Sequence, residues 1–437
     1  MLTKIILIPA ITLFINSAYA QESWVKYPNN PVLKKDTVLA HLPNDIIAIS
    51  DPWVIKAGSI YKMWYTCAGL NYPADTALRS RICYSESSDG ITWTKYSGNP
   101  VLDVSYSGSW DSSGVETASV LIDSLAPAGQ RYKMWYAGQY FNAYRYDIGY
   151  AYSADGKSWT KYPSQVLQVG SSSDWDGGFI EGPTVLKEGN IYKMWYTGYD
   201  LTNGKVNTGY ATSADGIAWT KYAGNPIITI GSVGAWDSYT VQDPHVIKIG
   251  NTYHMWYGGQ SQDSIYGQET GYAYSNDGIN WTKSLLNPVL RKGIPGTWDA
   301  NIASFPSVLF DNGILKMWYT GKDVDPPPPN SLNYYWELGY ASDSTFSAGI
   351  ISTNAEEKLL VYPNPASNVI FLETNGKKAS EEIKIMIYDV FGREVNQSEI
   401  MDPGSTIAIN INDLPQGIYL FRIIIKTGQT EVKFIKQ

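Results

Sequence analysis

The sequence predicts an all-β protein: a five-bladed β-propeller closed by its N-terminal strand and followed by a small C-terminal β-sandwich. Three observations carry this expectation. A Met-Trp-Tyr strand recurs five times, at Met63, Met134, Met194, Met255 and Met317, with spacings of 71, 60, 61 and 62 residues. A period of that size marks an array or a propeller rather than independent domains. Beyond residue 358 the repeat gives way to short Ile/Val-rich strands separated by Gly, Pro and Asn turns, as in a small antiparallel sandwich.

In chain order, residues 1–20 read as an export signal. Lys4 supplies the positive start, Ile5 to Ile15 an apolar run too short to span a bilayer, and Ala18-Tyr19-Ala20 a small-x-small cleavage pattern. Residues 21–350 are the expected propeller, 351–358 a linker, and 359–437 the second domain. Each repeat reads as four strands: a variable one, the Met-Trp-Tyr strand, a Gly-Tyr strand, and, after an Asp-Gly turn, a Trp-Thr-Lys strand. The fifth repeat lacks Trp-Thr-Lys. Trp24-Val25-Lys26-Tyr27, with Asn30-Pro31-Val32-Leu33, matches Trp93-Thr94-Lys95-Tyr96 with Asn99-Pro100-Val101-Leu102. The first strand of the chain is therefore expected to complete the last blade and leave only short edges. Cys67 and Cys83 stand where the other repeats carry facing glycines, which favours a local disulfide in an exported chain.

The net charge of −8 argues against a nucleic-acid backbone as partner. No Cys/His metal cluster, phosphate loop or Ser-His-Asp arrangement is evident, so no cofactor is expected, with a structural calcium left open. The 34 Tyr and 16 Trp serve strand packing for the most part, though a sugar-binding cleft uses the same flat faces.

The informative residues are those that differ among otherwise equal copies. One column of the variable strand reads Ser50, Glu116, Glu181, Gln242, Ser304, and the next reads Asp51, Thr117, Gly182, Asp243, Phe305. Asp51, Glu116, Glu181 and Asp243 should converge on one channel, where like charges raise at least one pKa. A protonated and an ionised carboxyl flanking one bond is what glycosidic hydrolysis needs. Trp53 and His245 follow two residues after Asp51 and Asp243, so a regular strand puts them on the same side, as candidate substrate contacts or as packing. The aspartates that recur in every copy (Asp45, Asp111, Asp176, Asp237, Asp299) read as turn or capping devices. Lys62, Lys133, Lys193 and Lys316 read as solvated strand residues.

On these residues the repeat region resembles the clan of five-bladed-propeller glycoside hydrolases that includes families 43, 32, 62, 68, 117 and 130. Asp51-Pro52 is similar to the Asp-Pro that supplies the general base, or the nucleophile in retaining members. Glu181-Gly182-Pro183 is similar to the family 43 motif whose Glu is the general acid. Glu116 stands nearest to the aspartate that tunes the acid in that family. The resemblance implies hydrolysis of poly- or oligosaccharides, with inversion if family 43 applies. A non-catalytic propeller binding glycans or a surface partner is the alternative. The tail resembles the sorting domain of type IX secretion cargo, through Tyr362-Pro363-Asn364-Pro365-Ala366, Val390-Phe391-Gly392-Arg393 and Leu414-Pro415-Gln416-Gly417-Ile418-Tyr419, with Lys433 and Lys436 near the end. That resemblance implies the secretion machinery as a partner, passage through the periplasm, and a secreted or cell-surface, monomeric protein.

Overall fold

The structure is a computed structural model that describes residues 24–35, 48–71, 75–140, 144–263, 267–284, 286–323, 336–344, 359–362, 368–374, 383–389, 394–400, 406–425 and 428–436. The expected export signal (1–20), the linker (351–358), Asp45, and the motif residues 363–366 and 390–393 lie outside these. The chain divides into two compact units, one within Glu22–Phe346 and one drawing on Ser347–Gln437.

Among its described residues the first unit is all β apart from one short 3-10 turn, Ala128–Gln130. Its repeats are antiparallel sheets. The third runs Phe179–Glu188, Ile191–Tyr199, Val206–Ser213 and Trp219–Lys221. The fifth has Ile302–Asp311, Ile314–Lys322 and Trp336–Asp343, and its outer strand is Val25–Lys26. Lys26 pairs with Ala341 as Lys161 does with Ala151 and Lys221 with Ala211.

Side chains repeat that equivalence. In the turn after the third strand of the first four repeats, a glycine carbonyl accepts two indole N–H groups, one local and one from the preceding sheet. Gly156 takes Trp159 at 3.0 Å and Trp64 at 2.8 Å; Gly90 takes Trp93 at 3.1 Å and Trp318 at 2.7 Å. Gly90 has φ +79°, and a Cβ there would stand 2.9 Å from the Trp318 ring, so the Asp-Gly of this turn is fixed twice over. The paired indoles meet edge-on at 6.1–6.3 Å in four places. Trp24 meets Trp256 at 6.2 Å in the fifth. Truncating any of the fully buried Met-Trp-Tyr tryptophans should cost about 3–5 kcal/mol.

Two expectations are corrected. The recurrent aspartates lie in turns as expected, but they are more than turn caps. Asp111, Asp176, Asp237 and Asp299 are buried and tie their turn to two strands: each accepts from the lysine of an outer strand (Lys161, Lys221, Lys283 and Lys26, at 2.5–2.6 Å) and from the tyrosine of Met-Trp-Tyr (Tyr136, Tyr196, Tyr257 and Tyr319, at 3.0–3.3 Å). Nor are the lysines before Met-Trp-Tyr solvated. Lys133 is buried against the Tyr150 hydroxyl, Lys193 reaches Glu188 and Tyr253, and Lys316 reaches Asp311 and Tyr61. A long stem covering apolar surface while its tip finds a partner explains both placements.

Cys67 and Cys83 form the expected disulfide, with Cα atoms 5.8 Å apart. The other sheets show why this pair sits here. Their facing glycines clear room for an indole: a Cβ on Gly138 would lie 2.2 Å from Trp110, and one on Gly149 2.7 Å from it. Trp175, Trp236 and Trp298 occupy the same place against their own glycine pairs. By spacing in the sequence, the first repeat has Asn44, which lies outside the described residues, where the others have that tryptophan, and it is this repeat that carries cysteines in place of the glycine pair. The bond closes a loop 16 residues long, so replacing both cysteines by Ala should cost about 3 kcal/mol, read as a lower denaturation midpoint.

The second unit has a three-stranded sheet (Leu359–Tyr362, Val369–Thr374, Thr406–Asn410) and a four-stranded one ordered Glu394–Ile400, Ile383–Asp389, Gly417–Ile425, Gly428–Lys436. Alternation along these strands buries Ile370, Ile385, Ile387, Ile409, Phe421 and Phe434, and Phe421 and Phe434 stack at 4.5 Å. The Leu414–Tyr419 motif closes on itself, the Tyr419 hydroxyl donating to the Pro415 carbonyl at 2.9 Å.

Candidate active site

The variable strand of every repeat breaks its register at one point. Pairing skips between Ser50 and Trp53, Glu116 and Ser119, Glu181 and Thr184, Gln242 and His245, and Ser304 and Ser307. The residue that opens each bulge is left-handed: Asp51, Thr117, Gly182, Asp243 and Phe305, with φ between 50° and 56°. Only one of the five is glycine. The other four hold a conformation that costs of order 1–3 kcal/mol each and persists only where the surroundings enforce it. Neighbouring sheets do so: the Asp51, Thr117 and Asp243 amides donate to the hydroxyls of Thr320, Thr66 and Thr197, and Gly182 to that of Thr117. A bulge turns the strand and re-aims its side chains, which a period-two reading of the sequence cannot anticipate.

These bulges surround a central shaft lined by Asp51, Thr117, Gly182, Asp243 and Phe305, with Trp53 and His245 among the residues below them. The charge of Asp51 is felt by Glu116, Glu181 and Asp243, and that of Asp243 by Glu116 and Glu181. Burial raises Glu116 to about 8, with help from Asp51 and Asp243, and a Ser80 hydroxyl bond opposes the rise. Burial, then the charge of Asp51, raises Asp243 to about 7. Glu181 is pushed well above the usual carboxyl range by burial and by Asp243, Glu116 and Asp51. Burial also raises Asp51, against hydrogen bonds from Thr66 and Ser50. Of the four carboxylates expected on one channel, Asp51 and Asp243 line the shaft, while Glu116 and Glu181 do not line it but lie near enough to feel the charges of those that do.

Asp243 is the most enclosed of the four. Gln242 donates to its Oδ2 at 2.8 Å, while its buried Oδ1 has no hydrogen-bond partner among the described residues. A Cβ on Gly182 would lie 2.5 Å from that Oδ1, so the glycine of Glu181-Gly182-Pro183 makes room for the aspartate of the next sheet.

Trp53 and His245 line the shaft but offer it little polarity. Their rings pack at 4.7 Å. The Trp53 indole N–H donates to the Val120 carbonyl at 2.7 Å, and His245 Nε2 meets the Val308 carbonyl at 3.0 Å. Burial lowers His245 to about 3, so the ring is neutral and Nε2 carries the proton. Both residues are buried and form the floor, and the shaft above them encloses about 40 Å³, room for a few waters and not for a sugar ring.

One element of the site is not evident from the sequence. Tyr144, Tyr146, Phe179 and Tyr199 form an aromatic wall between the second and third repeats. Phe179 stacks on Tyr199 at 5.0 Å, and Tyr144 meets Phe179 edge-on at 5.5 Å. The only signal is local: Tyr140, Phe141, Tyr144 and Tyr146 crowd one connection.

The raised carboxyls bear on stability with a definite sign. A carboxyl whose folded pKa lies above its unfolded value stabilises the fold at low pH and loses that contribution as pH rises through the folded value. For Glu116 the window runs from 4.5 to about 8. The wild-type melting temperature should fall between pH 5 and pH 8. Glu116→Gln should fall less, gaining on the order of 1 kcal/mol at pH 8 relative to pH 5. Equal slopes in thermal melts would remove Glu116 from the coupled group.

Several solved structures share this architecture. A glycosyl hydrolase from Bacteroides ovatus superposes with a TM-score of 0.55 at 16% identity, over 74% of this chain and 94% of that one. A structure from the GH130 family of mannoside phosphorylases, which contains glycoside hydrolases that target beta-1,2 mannosidic linkages in Candida mannan, gives 0.56 at 16% over 75% and 95%. A thermostable family-43 glycoside hydrolase gives 0.51 at 17% over 77% and 96%. The repeat unit has the propeller fold of glycoside hydrolases. Residues 124–285 of the propeller, which include Glu181 and Asp243, match the glycosyl hydrolases family 32 N-terminal domain. Residues 360–437 match the secretion system C-terminal sorting domain. Rv1502 of Mycobacterium tuberculosis, an uncharacterized protein, is 27% identical over 165 residues, 36% of this chain and 52% of that one. The chain thus spans about half the length of the curated relatives it matches.

Proposed function

We propose that the chain is an exported glycoside hydrolase that cleaves glycosidic bonds of poly- or oligosaccharides with inversion. Glu181 is the general acid, Asp51 the base that activates water, and Glu116 the modulator beside the acid, with Asp243 raising Glu181 and holding a sugar hydroxyl through its Oδ1. No cofactor enters this chemistry. The observation that carries the reading is the set of unlike carboxylates at strained bulges, Glu181, Glu116 and Asp243 each raised by burial and by neighbouring charge that includes Asp51, in a fold shared with glycoside hydrolases. The same reading takes the repeat unit as a monomeric five-bladed propeller closed by its N-terminal strand. The C-terminal unit is a small sandwich read by the secretion machinery, which delivers the protein to the cell surface or the medium; the match of residues 360–437 supports that export.

The chemistry needs two states at once. Glu181 must hold its proton until the leaving oxygen takes it, and Asp51 must be ionised to draw one from water. Mutual repulsion allows this, because protonating one member eases ionisation of another. Incubation with arabinan, xylan, mannan and pectic oligosaccharides, with the first-formed anomer read by proton NMR, tests the reading. Initial release of the retained anomer would exclude the inverting mechanism. The narrow shaft favours a second reading, a propeller that binds glycans at its rim without cleaving them. Saturable binding with no product from any of the four glycans would select it.

A further inference from the structure

In the aromatic wall beside Glu181, Phe179 is buried and Tyr146 packs on the core, but the outermost ring has no such duty. Tyr144 is 75% exposed, so it covers little core. Yet it is held in place, edge-on to Tyr146 at 6.0 Å and to Phe179 at 5.5 Å, with Phe179 stacked on Tyr199 behind. The connection carrying it is braced too. The Tyr140 amide donates to the Arg145 carbonyl at 3.1 Å, the Tyr140 hydroxyl and Arg145 both reach Asp147, and the Arg145 guanidinium lies 4.9 Å from the Tyr140 ring centre. An immobilised ring standing in water has already lost the conformational freedom that binding would otherwise cost.

Its position is specific. Phe179 precedes Glu181 by two residues on one strand, ahead of the bulge, with Ile180 between them pointing into the core, so Phe179 and Glu181 share a face. Phe179 and Tyr199 are also paired across the sheet, at the end where the second and third strands connect. The charges of Glu181 and Glu116 reach the hydroxyls of Tyr144 and Tyr146 and, with burial, raise both. The wall therefore stands on the Glu181 side of the site. Asp51, from the first repeat, lines the shaft with Gly182 and Pro183, the residues that follow Glu181.

We propose that Tyr144, backed by Tyr146, Phe179 and Tyr199, is a stacking platform for the apolar C–H face of a pyranose on the leaving-group side of the scissile bond. This rests on the assignment of Glu181 as the acid. The group that protonates the leaving oxygen lies beside the departing sugar, and the shaft is too narrow to take a ring, so that sugar lies along the rim. The site thus selects oligosaccharides over glycosides with small aglycones.

Binding is measured by affinity electrophoresis in the Glu181→Gln background, so that no turnover intervenes, against the arabinan, xylan, mannan and pectic panel. Tyr144→Ala should bind the retained glycan about tenfold more weakly, as expected for one lost aromatic stack. Tyr144→Phe and Tyr144→Trp should keep the affinity, because the face and not the hydroxyl carries it. In the otherwise wild-type enzyme, Tyr144→Ala should raise KM for the oligosaccharide and leave KM for a glycosyl fluoride unchanged. Unchanged glycan retention in Tyr144→Ala, or an equal loss on the fluoride, overturns the platform. If the wild type cleaves nothing while Tyr144→Ala still weakens retention, the stacking surface stands and its leaving-group placement falls with the catalytic assignment.

Discussion

Glu181→Gln should lower kcat on an oligosaccharide by about 10²–10⁴-fold, the range over which a positioned general acid contributes. The two side chains are nearly the same shape, and the change removes a charge from a crowded group, so the melting temperature should not fall. What separates an acid from a base is the leaving group. An aryl glycoside whose phenol departs without protonation needs no acid, so Glu181→Gln should recover much of its loss on a dinitrophenyl substrate. Asp51→Asn should recover none, since water must still be activated. The pH profile of the wild type should have an alkaline limb set by Glu181, whose carboxyl is raised by burial and by Asp243, Glu116 and Asp51, and an acidic limb set by Asp51. Equal defects on good and poor leaving groups would take the acid role away from Glu181.

Lys26→Met should cost about 3 kcal/mol, more than expected for a residue in a two-residue strand near the chain start. Lys26 places its ammonium 2.5 Å from Asp299, whose side chain is only 4% exposed. Removing the cation leaves a buried carboxylate with the Tyr319 hydroxyl at 3.1 Å and without its charge partner. Because Lys26 itself is 29% exposed, the lower end of the range for broken buried pairs applies. Asp299→Asn in the same background should restore part of the loss, which chemical denaturation of the single and double variants would measure. Additive losses would mean that the pair does not act as one unit.

The two parts of the site differed in how readable they were. Spacing between Met-Trp-Tyr copies set the repeat, and the missing Trp-Thr-Lys pointed to Trp24–Lys26, because those are patterns of residue type that survive without coordinates. Glu116, Glu181, Asp51 and Asp243 stood out because they vary where their neighbours do not. The bulge was invisible, since four of its five left-handed positions carry residues that do not advertise that conformation. The recurrent aspartates were only half read for a related reason. A carboxylate beside a turn looks like a cap until the lysine 45 to 50 residues later in sequence is seen to reach it. Tyr144 was lost among 34 tyrosines, because composition cannot tell a packed ring from a bare one. The cysteine pair was legible, but its reason was not: an asparagine at position 44 where the other copies carry an indole.

The seam between the first strand and the last sheet has a kinetic consequence. Asn30 donates to the Tyr340 carbonyl and accepts from the Tyr340 amide, a contact spanning 310 residues. No amount of local ordering can complete this wheel while its far end is absent, and contacts of such separation form slowly. Until then Trp256 lacks its edge-on neighbour and Asp299 its counter-ion. The opening residues thus serve as a clasp that can be fastened only once the chain has run through its fifth repeat, whether or not the C-terminal unit has followed.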